Sequence, residues 1–220
     1  MVKKIVVGAL ETNCWIVPLD GDTVFGLKPA AVIDPGADPA QILSCLDRDG
    51  LYAQYILLTH GHFDHIAAVS GLCEIYKGKG IVPKVAIGKD DACYLGADAR
   101  RFHDESIRAA MGNSYFMDQF YSPTPAADII LNEGDTVAGF KVLHLPGHSE
   151  GSVGFYDEKN LLLFGGDTLF KNGMGRTDLP GGSWNKLEKT LRRLFSMDGS
   201  ITVFPGHGPP TTIRDEAGVF

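Results

Sequence analysis

The chain lacks several features that would settle its class early. It has only four cysteines among 220 residues. They are Cys14, Cys45, Cys73 and Cys93, and no two form a C-x-x-C pair. That spacing excludes a zinc ribbon and a thioredoxin-like redox motif, and the cysteines read as reduced thiols, mostly core filler, in a cytoplasmic protein. No apolar run approaches the roughly 18 residues that a membrane-spanning helix needs. The opening "MVKKIVVGAL" has neither a long apolar stretch nor a small-residue cleavage site, so no signal peptide is expected. There is no run of Lys or Arg, and the formal net charge is -7. Nucleic acid and membrane surfaces are therefore not expected as partners. A G-x-S-x-G elbow and a phosphate-binding P-loop are also missing, which disfavours serine hydrolases and P-loop nucleotide hydrolysis.

What remains is an ordinary globular composition, 44% hydrophobic and 21% charged, in a chain long enough for one sizeable core. No linker, repeat or low-complexity block interrupts it, so residues 1–220 read as a single domain. "KKIVVGAL", "NCWIVPL" and "AAVIDPG" are β-branched runs closed by turn residues. Residues 38–50 predict a helix, with Asp38 as cap, Pro39 in its first turn and Gly50 after its end. "AQYILLTH" is a continuous apolar run of a buried strand. A second helix is expected from near Asp64 through Ile66, Val69, Leu72 and Ile75. "DDACYLGADARRFHDESIRAAMG" looks helical and partly exposed. The aromatic stretch 113–125, with Tyr115, Phe116, Phe120 and Tyr121, reads first as core beneath a loop and otherwise as pocket wall or dimer contact. The second half repeats the strand style in "ADIIL", "FKVLHLPG", "SVGFYD" and "NLLLFGGD", followed by a helix at about 184–196 and a last strand "ITVFPGHG". Strands followed by helices, twice over, suggest two packed sheets with helices outside.

The chemistry concentrates in "THGHFDH". Three of the seven histidines in the chain fall in this one segment. His60 and His62 leave a strand two residues apart, so both imidazoles can reach one ion. Asp64 and His65 follow where the chain turns into a helix and can face a second point nearby. Imidazole with carboxylate suits zinc, and also iron or manganese. Downstream, His148, Asp167 and His207 each follow an apolar strand and a glycine, where a ligand can stand at a strand end. His144 reads as a packed, hydrogen-bonded strand residue and His103 as a surface residue of a polar helix. Asp34 in "VIDPG" reads as a turn former, with orientation of a ligand histidine as the second reading.

In this pattern the chain resembles the metallo-β-lactamase superfamily, whose H-x-H-x-D-H signature continues with His, Asp and His at long spacings. The resemblance implies an α+β fold, an αββα sandwich of two mixed β-sheets flanked by helices. It implies that His60, His62 and His148 hold one metal, that Asp64, His65 and His207 hold a second, and that Asp167 bridges both. Asp64 would be ligand and catalytic orienter of a hydroxide shared by two divalent ions, zinc first, with iron or manganese as alternatives. Asp167 stands where the common β-lactamase subclass has cysteine, and His62 where flavodiiron proteins have glutamate. "FGGDTLFKNGMGRTDLPGGS" is similar to the short bacterial members of the glyoxalase II family. That implies hydrolysis of a thioester such as S-lactoylglutathione, with Arg176 as a substrate-binding residue. Asp178 stands where those enzymes often have tyrosine. The C-terminal helical domain that binds glutathione in longer members is not expected here. The alternatives are a persulfide dioxygenase holding one iron through His60, His148 and Asp167, and a lactone or ester hydrolase. A small-molecule thioester or ester is the expected partner, in a monomer or homodimer.

Overall fold

The computed structural model describes residues 1–219. Its first sheet has six strands in sequential order: β1 (Lys3–Val7), β2 (Thr12–Pro18), β3 (Lys28–Ile33), β4 (Leu51–Leu58), β5 (Lys84–Gly88) and β6 (Ile129–Leu131). β1, β2 and β3 pair antiparallel, and β3 to β6 continue in parallel. The second sheet takes β7 (Thr136–Val137), β8 (Phe140–His144), β9 (Val153–Asp157) and β10 (Leu162–Gly166), then β13 (Thr202–Pro205) and β14 (Thr211–Thr212). Here β10 and β13 are the parallel pair. A short hairpin, β11 (Leu169–Phe170) with β12 (Gly173–Met174), stands apart.

The period-two rule explains how two sheets and their helices stack. Trp15, Ile33 and Leu57 from the first sheet meet Val142, Phe155 and Phe164 from the second, forming the core between sheets. Their alternates Ile16, Val32, Ile56 and Leu58 face outward under helices α1 (Pro39–Arg48) and α3 (Val69–Gly78), packing on Ile42, Leu46, Leu72 and Tyr76. On the far side, Leu143, Leu163 and Val203 meet Leu187, Leu191 and Leu194 of α6 (Trp184–Phe195). The layers are helix, sheet, sheet, helix, which is the fold implied by the sequence resemblance. Among the described residues, no helix is long and apolar enough to cross a membrane.

Local expectations need correction in places. The helix expected from Asp64 onward is broken into α2 (Phe63–Ile66) and α3. The Ala68 amide donates to the Pro35 carbonyl at 2.9 Å, which takes it out of the helical ladder. Asp38 does not cap α1 through its side chain; its Oδ2 instead accepts from the Gly8 amide at 3.0 Å. The long middle helix is a 3-10 turn, Lys89–Tyr94, followed by α4 (Ala99–Met111), with Gly96 at φ 86 between them. The aromatic stretch is core only in part, with Phe116 and Tyr121 half-buried and the Tyr121 ring against His103. Within α5 (Tyr115–Phe120) only Met117 is fully buried, while Tyr115 and Phe120 are exposed. A helix this short packs one face, and Phe116 uses it to reach the Phe63 ring. The chain closes with α7 (Ile213–Ala217).

Candidate metal centre

The parallel pairs place strand ends together. β3 and β4 finish side by side at one end of their sheet, and β10 and β13 do the same in theirs. Asp34 and the His60 loop follow the first pair, and Asp167 and His207 follow the second. The two ends are joined directly, because the Val153 amide donates to the Thr59 carbonyl at 2.7 Å. The Asn13 amide likewise donates to the Gly206 carbonyl at 2.7 Å.

The residues anticipated from sequence converge there. His60, His62 and His148 form one group whose ligand-type atoms lie within 4.8 Å of one another. Asp64, His65 and His207 form another on the same criterion of 4.8 Å. Asp167 stands between them. Its Oδ1 is 3.4 Å from His65 Nε2, and its Oδ2 is 3.5 Å from His207 Nε2 and 3.7 Å from His148 Nε2. Gly206 makes this approach possible: a Cβ there would collide with Asp167 Oδ1 and His65 Cε1.

The donor set fits divalent first-row cations. His60 Nε2, His65 Nε2 and Asp167 Oδ1 are buried and have no hydrogen-bond partner among the described residues, and His62 Nδ1 lies 2.8 Å from His148 Nε2. Leaving such atoms unpartnered costs about 1–3 kcal/mol each, so their clustering is explained by a cation that accepts their lone pairs. The opposite nitrogens are already engaged. His148 Nδ1 donates to the Arg176 carbonyl at 2.8 Å. His65 Nδ1 donates to Asp34 Oδ2 at 3.1 Å. The Thr59 hydroxyl donates to Asp34 Oδ2 at 2.7 Å, so it can only accept from His60 Nδ1, 3.1 Å away. These bonds hold a proton on Nδ1 of His60, His65 and His148, so that each can offer Nε2 to a cation.

Electrostatics follow from burial and from the alternation of imidazole with carboxylate. Burial, with the neighbouring His65, His62 and His148, holds His60 well below its ordinary value. Burial and His148 push His62 down to about 3. For Asp64, burial works upward, but His65 and His207 outweigh it and hold the carboxyl well below the usual range. Asp167 is lowered in the same way, with His65 as the main opponent of burial. His65 and His207 move upward: burial opposes this, and Asp64 and Asp167 overcome it. The carboxylates are thus ionised, as ligands must be.

The remaining expectations divide. His144 is a packed residue as expected, its Nε2 donating to the Glu150 carbonyl at 3.0 Å. His103 is not on the surface. It is 1% exposed, and its Nε2 donates to the Tyr94 carbonyl at 2.9 Å, because α4 turns this face onto the 3-10 turn. Arg176 lines the cleft beside the cluster, and its guanidinium is bonded to Asp178 at 2.8 and 2.7 Å. Asp34 takes the second of its readings, orienting His65 directly and His60 through Thr59.

Two supports had little or no signal in the sequence. Thr12 donates to Asp64 Oδ2 at 3.1 Å. Asp91, 1% exposed, joins the two ligand loops. It accepts from the Gly61 amide at 2.8 Å, from Ser149 Oγ at 2.7 Å and from the Gly151 amide at 2.7 Å. Burial pushes its carboxyl upward and those donors pull against the rise.

Comparison with known proteins bears on the family and the fold. The family model of the metallo-beta-lactamase superfamily matches residues 7–207. The hydroxyacylglutathione hydrolase GloC of Haemophilus influenzae is 32% identical, over 98% of this chain and 94% of its own. TTHA1623, solved in a di-iron-bound form, aligns with a TM-score of 0.80 at 36% identity, covering 98% of this chain and 96% of that one. The BLEG-1 B3 metallo-beta-lactamase aligns with a TM-score of 0.80 at 32% identity, covering 99% and 97%.

Proposed function

The chain belongs to the metallo-beta-lactamase superfamily, and from that premise we propose that it is a metal-dependent hydrolase cleaving a thioester of a small thiol carrier. The observation that carries the reading is the position of Asp167 between the His60–His62–His148 and Asp64–His65–His207 groups. His60, His62 and His148 would hold one divalent ion, Asp64, His65 and His207 a second, and Asp167 would touch both. When bound, such ions supply Lewis acidity and make water acidic enough to ionise near pH 7.

The chain's own residues supply the rest. Asp64 is held through Oδ2 by Thr12, His65 and His207, and its Oδ1 can orient the attacking water by accepting its hydrogen. Asp34 and Thr59 keep the imidazoles of His60 and His65 in one tautomer and one orientation. Arg176 orients His148 through its carbonyl and lines the cleft where substrate enters. A thioester suits this site because a thiolate, with a pKa of about 8.5 in the free thiol, leaves without a proton donor. A 32%-identical relative named as a hydroxyacylglutathione hydrolase supports the thioester class. The di-iron form of a 36%-identical relative supports iron beside zinc as the metal.

Metal content by mass spectrometry and hydrolysis of S-lactoylglutathione test the reading, with Asp167→Ala as the diagnostic variant. Two metals per chain, and loss of both hydrolysis and metal in the variant, are expected. Unchanged turnover in Asp167→Ala would sink it. One iron with oxygen uptake on a persulfide would replace it by the dioxygenase alternative. Cleavage of a chromogenic cephalosporin in preference to any thioester would move it toward the relative named as a B3 β-lactamase.

A further inference from the structure

The cleft beside the cluster encloses about 260 Å³, and part of its wall comes from α4, which holds no member of the cluster. His103, Ser106, Ile107 and Ala110 of α4 line it. Their spacing is i, i+3, i+4, i+7, one face of one helix. The face is anchored from behind: His103 Nε2 donates to the Tyr94 carbonyl at 2.9 Å, and Ser106 Oγ lies 3.2 Å from the Tyr94 hydroxyl. His103 Nδ1 is buried without a partner among the described residues, and beyond it the face offers Ile107 and the small Ala110. Leu10, Phe63 and Leu179 from other elements extend the same apolar lining. The cation at the cleft, Arg176, is already paired bidentately with Asp178.

We propose that α4 is the specificity element of this site, and that the cleft takes a straight apolar chain joined directly to the scissile thioester. This deepens the hydrolase reading and rests on it. A mostly apolar pocket with its polar groups gathered at one point binds by excluding water from hydrocarbon and orients by that point. Each methylene buried is worth about fourfold in kcat/KM. The hydrocarbon can belong to the acyl group or to the thiol, and the same lining would serve either.

The test uses the metal-loaded protein and two substrate series. One varies the acyl group from two to eight carbons on N-acetylcysteamine, and the other varies an alkyl thiol over the same range on an acetyl group. One series is expected to rise by about fourfold per methylene until the cleft is full, and which one rises assigns the chain to the acyl or the thiol side. Ile107→Asp and Ala110→Glu are expected to flatten that gradient at least threefold, through KM more than kcat. Ala110 is exposed and Ile107 half-buried, so both variants should fold, which circular dichroism checks. Calorimetric binding of straight-chain carboxylates of two to eight carbons reads the same lining without turnover. Turnover with no gradient in either series, or a gradient untouched by the variants, overturns the assignment of α4. A binding gradient that the variants flatten, without any thioester hydrolysis, sustains it and overturns the hydrolase reading instead.

Discussion

Asp34 and His65 lie 31 positions apart, and a single contact joins them: His65 Nδ1 donates to Asp34 Oδ2 at 3.1 Å. The same oxygen accepts from Thr59, which holds His60. One buried carboxylate therefore orients a member of each ligand group. Asp34 sits at φ 52, a left-handed conformation that asparagine also tolerates. Asp34→Asn should keep the backbone and remove the charge. Metal affinity is expected to fall about 10- to 100-fold, measured by competition with a chromophoric chelator. Wild-type affinity in that variant would remove Asp34 from the site.

Gly206 leaves room for the Asp167 carboxylate and the His65 ring. Gly206→Ala should therefore act on the cluster before it acts on the fold. Metal content is expected to drop well below wild type, with far-UV circular dichroism unchanged. Full metal loading in this variant would show that Asp167 can shift without consequence.

Asp91 ties the loop of His60 and His62 to the loop of His148 through hydrogen bonds from Gly61, Ser149 and Gly151. Asn at this position accepts through one oxygen only and leaves a buried amide donor aimed at other donors. Asp91→Asn should cost about 1–3 kcal/mol of stability. Urea denaturation of the metal-stripped protein measures this free of any linkage to metal binding.

The Glu133 carboxyl pairs with Arg193, binding the start of the second sheet to α6. Burial works to raise its pKa, but Arg193 and the His144 amide outweigh it and lower it. A carboxyl depressed in the folded state stabilises above its unfolded pKa of about 4.3 and loses that contribution as pH falls through the folded value. Glu133→Gln should therefore differ most from wild type near pH 7 and converge with it in acid. Thermal melts at pH 7 and below pH 4 give the comparison; a gap that widens in acid would reverse the sign.

Much of the fold was legible because its signals are local. β2, β3 and β4 alternate residues between the inter-sheet core and the helix-facing core, and continuous apolar runs announce strands buried on both faces. The turn residues after each strand marked where polar ligands could stand. The break between α2 and α3 was not legible, because it depends on a bond from Ala68 to Pro35 across the turn after β3. His103 read as a surface residue for a similar reason: its own helix is polar, and only the packing of α4 on Tyr94 buries it. Asp34 was half legible. Its strand pairs in parallel register with the one leading to His60, Ile33 opposite Leu57, so that register alone would have put it opposite Leu58, one residue from Thr59.

The sequence by itself determined the chemistry of the ligands, the strand and helix periods, and the turn that places His60, His62, Asp64 and His65 within one segment. Those depend on residue type and on geometry over a few bonds. Tertiary structure decided which oxygen faces which nitrogen: Asp167 between the two groups, Asp34 behind His65, Asp91 between loops, and the α4 face along the cleft. These contacts join distant segments. Their distances depend on sheet register and on how the layers pack, which no local pattern of side chains encodes.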